Sequence, residues 1–203
     1  MLRTLHRISA IALAAFLVLH MANHLTGLAG QDWHIAFMAV ARNAYRNPFI
    51  EPVLIGLAGW QVASGLTLLW KRRKACRGPL GWAQQLSGLY LGFFLLIHVG
   101  AVLSGRYLLG LDTDFRFAAA GMHVGAFIWF FAPYYFLAVF SLFVHAGCGI
   151  YWNLLFIPDR TRKILLALFC SAGFAAGLLI VLALAGALYP VSIPDVYRST
   201  YQG

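Results

Sequence analysis

The sequence has little charge, and negative charge is almost missing from it. Of its 203 residues only 6 are Asp or Glu and 15 are Lys or Arg, so charged residues make up 10%. A soluble domain carries about 25%. So few charges cannot cover a water-exposed globule of this length, which excludes a soluble enzyme and a disordered chain. Cysteine is also scarce. Cys76, Cys148 and Cys170 show no metal-ligand spacing and are too few for a secreted disulfide scaffold, so they read as reduced structural thiols. The basic excess, with a pI near 9.9, does not point to nucleic acid as a partner. The bases sit at the ends of apolar runs and not along one face. Apolar residues are abundant: 62% of the chain is hydrophobic and the mean hydropathy is +0.78. The chain reads as an all-α, polytopic membrane protein.

A helix needs about 20 mostly apolar residues to cross a hydrocarbon core roughly 30 Å thick. Uncharged runs over 8–30, 52–70 and 78–105 each serve, whereas the run 117–158, at 42 residues, is too long for one span. Pro133 divides it, and proline suits the first turn of a helix. The fourth span is therefore predicted over 133–155, with an outer helix or a kinked extension before it. The fifth follows over 164–188. Five transmembrane helices, at approximately 5–28, 50–71, 82–105, 133–155 and 164–188, make 1–203 a single transmembrane domain. The segment 31–46 is expected to be an amphipathic outer helix with Asp32 as its N-cap. Arg3 and Arg7 before an apolar run imitate a signal peptide. However, His20 and His24 interrupt that run and no small-residue cleavage site follows, so the segment reads as a retained span. Gly173-Phe-Ala-Ala-Gly177 permits a close helix contact.

Five spans put the two termini on opposite sides. One end collects Arg3, Arg7, Lys71, Arg72, Arg73, Lys74, Arg77, Arg160, Arg162 and Lys163 against Asp159 alone. The other holds Arg42, Arg46, Arg106, Arg116 and Arg198, balanced by Asp32, Glu51, Asp112, Asp114 and Asp195. The positive-inside rule then predicts a cytoplasmic N-terminus, in a multi-pass protein of a bacterial cytoplasmic membrane. Trp70, Trp82 and Trp152 fall at the basic end, where an aromatic belt belongs.

The first and third spans can be laid on each other. Arg7-Ile-Ser-Ala-Ile-Ala-Leu-Ala-Ala-Phe-Leu-Val-Leu-His20 matches Gln85-Leu-Ser-Gly-Leu-Tyr-Leu-Gly-Phe-Phe-Leu-Leu-Ile-His98, bringing together Ser9 with Ser87, Phe16 with Phe94 and His20 with His98. In each span these positions share one helix face. Spans two and four also correspond, Gln61-Val-Ala-Ser-Gly65 with His145-Ala-Gly-Cys-Gly149. The expected core is therefore two helix pairs running in parallel, with the fifth helix added and with His20 and His98 at equal depth in the outer half.

A strongly polar residue inside a span is a functional-site hypothesis by default. Two imidazoles at matched depth on facing helices could supply both axial bonds of a haem iron. Gly88, Gly92 and Gly149 could make room for the ring. Bis-imidazole ligation leaves no open position on iron and so favours electron transfer over oxygen chemistry. His24, one turn beyond His20, is the alternative ligand or the neighbour of a propionate or a water. His145 is a further candidate or a hydrogen-bonding residue between helices. His34 and His123 read as structural, in outer connections, and His6 lies at the basic edge.

These residues resemble the membrane-anchor cytochrome b subunits of succinate dehydrogenase and fumarate reductase, in particular the five-helix, single-chain type with two haems. The resemblance covers about 3–155. It rests on Leu5-His6-Arg7-Ile8-Ser9, Phe16-Leu-Val-Leu-His20 and Asn23-His24 in helix one, on His98 in helix three, and on Phe143-Val-His145-Ala-Gly-Cys-Gly149-Ile, which is similar to an H-x-x-x-G-[ILV] ligand motif, in helix four. It implies that His20 and His98 are axial ligands of haem b and that His145 stands at a ligand position of a second haem. The matching ligand position on helix two falls on Gln61, a poor haem ligand. One haem b is therefore expected, or two if His145 finds another partner. The resemblance also implies a quinone site at His6, Arg7 and Ser9. It further implies a flavoprotein and an iron–sulfur subunit docked on the basic, cytoplasmic face, which would equally suit anionic membrane lipid. The chain itself would carry electrons and not the dehydrogenase active site, since it has no cysteine cluster for an iron–sulfur centre. Two other readings stay open at this point: a stand-alone haem- or quinone-binding membrane protein of the same fold, and a non-haem structural membrane protein.

Overall fold

The computed structural model describes residues 1–72 and 78–201, so Arg73, Lys74, Cys76 and Arg77 of the basic end lie outside the described residues. All regular structure among the described residues is helical. The helices are α1 (Leu2–Thr26), α2 (Gln31–Tyr45), α3 (Ile50–Arg72), α4 (Gly78–Tyr107), α5 (Phe115–Ala120), α6 (Ile128–Asn153), α7 (Asp159–Leu184) and α8 (Asp195–Arg198). Five of them, α1, α3, α4, α6 and α7, are long and apolar enough to cross a membrane. The shortest of these, α3, has 23 residues. At about 1.5 Å per residue it still exceeds the roughly 30 Å hydrocarbon core. The outward faces are apolar and bare, as at Ile11, Leu96 and Leu168. Such surface is a liability in water and is what a bilayer covers. The chain is a multi-pass membrane protein.

Neighbouring helices form a ring. α1 packs on α3, α3 on α4, α4 on α6 and α6 on α7, and α7 touches α1. The α6–α7 seam is the closest, and glycine makes it so. A Cβ at Gly173 would lie 2.5 Å from Cβ of Phe143, and one at Gly177 would lie 3.1 Å from the carbonyl oxygen of Phe136. With no hydrophobic drive between helices in lipid, this close van der Waals contact is what joins α7 to the bundle.

Helix ends depart from the sequence expectation for local reasons. The N-cap of α2 is Gly30, with φ +138°, and Asp32 sits inside the first turn. The chain reverses there after the turn Gly27–Ala29, a conformation open to glycine and closed to aspartate. α6 begins five residues before Pro133 and runs through it. So near the helix start proline removes only one ladder bond, and the preceding Trp129-Phe-Phe-Ala132 run continues the helix. α7 starts at Asp159, not 164, because Asp159 joins Arg162 at 3.2 Å and Lys163 at 2.7 Å within its first turns. It stops at Leu184 because Gly186 takes φ +75°.

The buried apolar cluster lies at the end away from the bases. Leu111, Phe115, Ala119, Ala120, Met122, Ile180, Leu184, Ile193 and Tyr197 form it, so α5, the end of α7 and the C-terminal segment close over the bundle. Polar ties hold this cap in place. The Tyr189 hydroxyl donates to the Gly27 carbonyl, Tyr197 donates to the Asp112 carbonyl at 3.1 Å, and His123 donates to the otherwise orphaned Leu184 carbonyl at 2.8 Å. Asp114 caps α5 by accepting from the N–H groups of Arg116 and Phe117. Arg42 pairs with Asp112 at 2.8 Å, and Arg106 pairs with Glu51.

The glycine seam makes a direct prediction. Gly173→Val forces Phe143 aside and should destabilise the detergent-solubilised protein by about 1–3 kcal/mol. Gly100→Ala, whose added methyl meets nothing within 4 Å, should leave the thermal midpoint unchanged. Equal midpoints for the two variants would contradict the packing.

Candidate functional site

Two polar layers lie inside the bundle, and both obey the internal repeat. In the layer nearer the basic end, Gln61 on α3 donates its amide N–H to the carbonyl of His6 at 2.9 Å and to the hydroxyl of Ser9 at 2.6 Å, both on α1. His145 on α6 places Nδ1 3.1 Å from the carbonyl of Gln84 and 3.3 Å from the hydroxyl of Ser87, both on α4. Overlaying the two halves puts His6 on Gln84, Ser9 on Ser87 and Gln61 on His145. The same two-point clamp therefore joins each helix pair. Ser64 and Cys148, also equivalent, are both fully enclosed.

These contacts fix the tautomers. A carbonyl only accepts, so Nδ1 of His145 carries the proton and Nε2 is a bare lone pair. Nδ1 of His6 lies 2.7 Å from the Ser64 hydroxyl, which itself donates to the Trp60 carbonyl at 2.6 Å. His6 must therefore donate through Nδ1, which leaves its Nε2 bare too. Room is kept beside these rings. A Cβ at Gly88 would lie 2.8 Å from Cε1 of His145, and one at Gly65 would lie 3.5 Å from Cε1 of His6. Gly92, buried and one turn beyond Gly88, faces open space inside the bundle.

Arg7 does not join this layer. It lines a pocket with Arg3, Thr4 and Lys71 on another side of α1. At 3.6 residues per turn it stands about 100° from His6 and about 160° from Ser9. The sequence grouping of His6, Arg7 and Ser9 thus divides, with His6 and Ser9 inside beside Gln61 and Arg7 outside.

The second layer lies beneath the cap. The His20 and His98 rings stand 6.0 Å apart across the bundle. Each stacks on the phenylalanine one turn before it: Phe16 on His20 at 5.4 Å and 22°, Phe94 on His98 at 4.9 Å and 14°. The matched Phe–His pairs thus repeat in space as they do in sequence. His24 adds a third ring, its Nε2 3.3 Å from Nε2 of His20. His34 on α2 adds a fourth, 5.4 Å from His24 and 5.2 Å from Phe115 of the cap. His34 reads from sequence as a residue of an outer connection; the structure puts it with the histidine group. The signal was on α2 itself, whose buried positions His34, Met38 and Ala41 follow helical spacing on one face. His123 belongs to the cap.

The outer layer can be tested for its fit to a metalloporphyrin. His20 and His98 bring two imidazoles within 6.0 Å of each other, with Nε2 of His20 turned toward Nε2 of His24 at 3.3 Å. A second indication is the pair of orphaned atoms next to them. His34 accepts from the amide of Asn23 at 3.2 Å, yet Nδ1 of His34 and Oδ1 of Asn23 are buried with no partner. Leaving such groups unpaired costs about 1–3 kcal/mol each, so they mark where a polar ligand group or water belongs. Imidazole is the donor type that holds a haem iron, while among the described residues no group of three or more His, Cys, Asp or Glu is placed to hold a bare metal ion. Comparison with family models, with curated proteins and with solved structures finds no match.

Burial, with the nearby His20 and Arg42 adding to it, pushes His34 down to about 4 from the usual 6.5. Between those two pH values the unfolded chain binds a proton that the folded one refuses, so stability falls as pH drops from about 6.5 toward 4. Lowering the pH from 7 to 5 should remove on the order of 2 kcal/mol through this group. His34→Leu should lose measurably less over the same interval, read by thermal melts in detergent. An identical pH dependence in the variant would remove His34 as the cause.

Proposed function

We propose that this protein is a b-type cytochrome membrane anchor of the succinate dehydrogenase and fumarate reductase kind. It would pass electrons between a soluble flavoprotein and iron–sulfur pair and membrane quinone. The observation that carries this is the repeat-matched pair His20 and His98, 6.0 Å apart and each backed by its own phenylalanine. His20 and His98 would hold a haem b there, and it would supply one-electron transfer. The chain's own residues do the rest. Phe16 and Phe94 fix the planes of the two imidazoles, and His24 stands beside His20 as the alternative ligand. Asn23 and His34 offer unpaired polar atoms beneath the apolar cap.

Orientation follows the charges. The N-terminus and the basic end face the cytoplasm of a bacterial cell, with the partner subunits docked there. The inner layer is the place for quinone chemistry, with His6, Ser9 and Gln61 as its residues. The bare Nε2 of His6 accepts a hydrogen bond, which suits the hydroxyl of a quinol better than the carbonyl of a quinone. Arg7 takes no part in this layer. His145 presents a bare Nε2 at the second ligand position, but its equivalent is Gln61, so one haem is expected.

The dithionite-reduced minus oxidised spectrum of the purified chain, with haem quantified, tests this reading. One b haem per chain is expected, and none in His98→Ala. Gln61→His, which restores the repeat opposite His145, should raise the count toward two. A folded chain that binds no haem when haem is supplied would falsify the cytochrome reading.

A further inference from the structure

We propose that the pocket between α1 and α3 at the basic end binds the phosphate of an anionic phospholipid. Arg3, Thr4 and Arg7 line it from α1, and Leu68 and Lys71 line it from α3, around a cavity of about 480 Å³. Three cations thus converge on one space. Arg3 and Arg7 are four residues apart on one helix, where like charges repel. Such crowding is normally relieved by an acid, and none is within reach. No ion pair involves Arg3, Arg7 or Lys71 among the described residues. The stretch 72–82 contains no acid at all. The single acid of this end, Asp159, is already held by Arg162, Lys163 and the Tyr151 hydroxyl.

The opposite end is the control. There Arg42 and Arg46 share Asp112, Arg106 has Glu51 and Arg116 has Asp114. Four of the five arginines of that end thus have an acid of this chain beside them. At the α1–α3 pocket the counter-charge must come from outside the chain.

The position of the pocket says what carries that charge. It opens at the end of two membrane-crossing helices, where lipid headgroups stand. Directly below it the surface turns apolar and outward, with Leu68 in the lining and Ile11, one turn beyond Arg7, 74% exposed. Guanidinium forks and a hydroxyl above, with an open apolar track beneath, match a phosphate ester with an acyl chain. Lys71 adds a point charge from the second helix, so the lipid would also bridge α1 to α3. This proposal does not rest on haem binding.

Native mass spectrometry of the delipidated full-length protein in neutral detergent tests it, with phosphatidylglycerol and phosphatidylcholine offered together. The expected result is preferential retention of phosphatidylglycerol. That preference should fall about fivefold for each cation removed in Arg7→Gln and Lys71→Gln, and Arg7→Lys should keep most of it. Thermal melts of the same variants check that they fold, and their haem content separates this result from the cytochrome reading. Equal retention of the two lipids, or an undiminished preference in the double variant, would overturn the proposal. Displacement by millimolar inorganic phosphate would assign the pocket to the free anion instead. Displacement by an acidic peptide at low concentration would assign it to a protein partner. Either of these results also overturns the proposal.

Discussion

Everything inside this bundle depends on one contact made twice: a side chain from one helix clamped between a main-chain carbonyl and a serine on its neighbour. In hydrocarbon a polar side chain has no water to fall back on, so it must find its partners within the protein. Ser9 donates back to the Leu5 carbonyl at 2.9 Å, and Ser87 to the Gln84 carbonyl at 3.2 Å, which frees their oxygens to accept from Gln61 and His145. Each clamp fixes rotation and register for one helix pair. Consequences then travel along α1 and α4. His20 and His98 each lie 11 residues beyond their serine, close to three full turns. A helix registered at the serine must therefore present its histidine on the same face and at the same depth as the other. The 6.0 Å meeting of the two rings is the far end of a geometry set at the clamps.

The repeat is more instructive where it breaks. The first half has Gln61 where the second has His145, and His6 where the second has Gln84. Gln61 meets the needs of the clamp as well as an imidazole does, because its N–H₂ supplies two donors. What is lost is the lone pair on a ring nitrogen. The room for the ring differs as well: a Cβ at Gly88 would lie 2.8 Å from Cε1 of His145, and the residue that overlays Gly88 in the first half is Ala10. The other asymmetry is at the capped end. α7 packs on the second helix pair through its glycine seam, and its end joins the cap over His34. The outer histidine layer is consequently closed from above by side chains, while the inner layer lies near the open, basic end.

Much of this was legible in the residues. Uncharged runs located the five long helices, since lipid leaves no other option for an apolar stretch of that length. The overlay of Arg7–His20 on Gln85–His98 located the paired histidines and serines, because a clamp repeated in space has to be written twice in the chain. Helix ends were less legible. Pro133 is a good first-turn residue, but the apolar residues before it are equally good helix formers, and only packing of the cap decides between them. The separation of Arg7 from His6 and Ser9 has a different reason. Neighbours in sequence diverge by about 100° around a helix, so a compact motif such as His6-Arg7-Ile8-Ser9 does not remain compact in space. His34 was hidden because its role depends on α2 folding back beneath α5 and the C-terminal segment, and nothing in 31–46 announces those partners.

The distribution of arginine draws these threads together. The formal net charge of +9 gathers almost wholly at one end, because that end has Asp159 as its one acid while the capped end has as many acids as arginines. At the outer end charge serves architecture. Arg42, Arg46 and Asp112 tie α2 to the 108–114 connection, and Arg106 with Glu51 ties the end of α4 to the start of α3. Those pairs lie at the same end as the cap. The molecule is thus divided into an end whose charges are mostly paired within the chain and an end where Arg162 and Lys163 share the single Asp159. The polar clamps stand between the two, fixing the helices on which both ends are built.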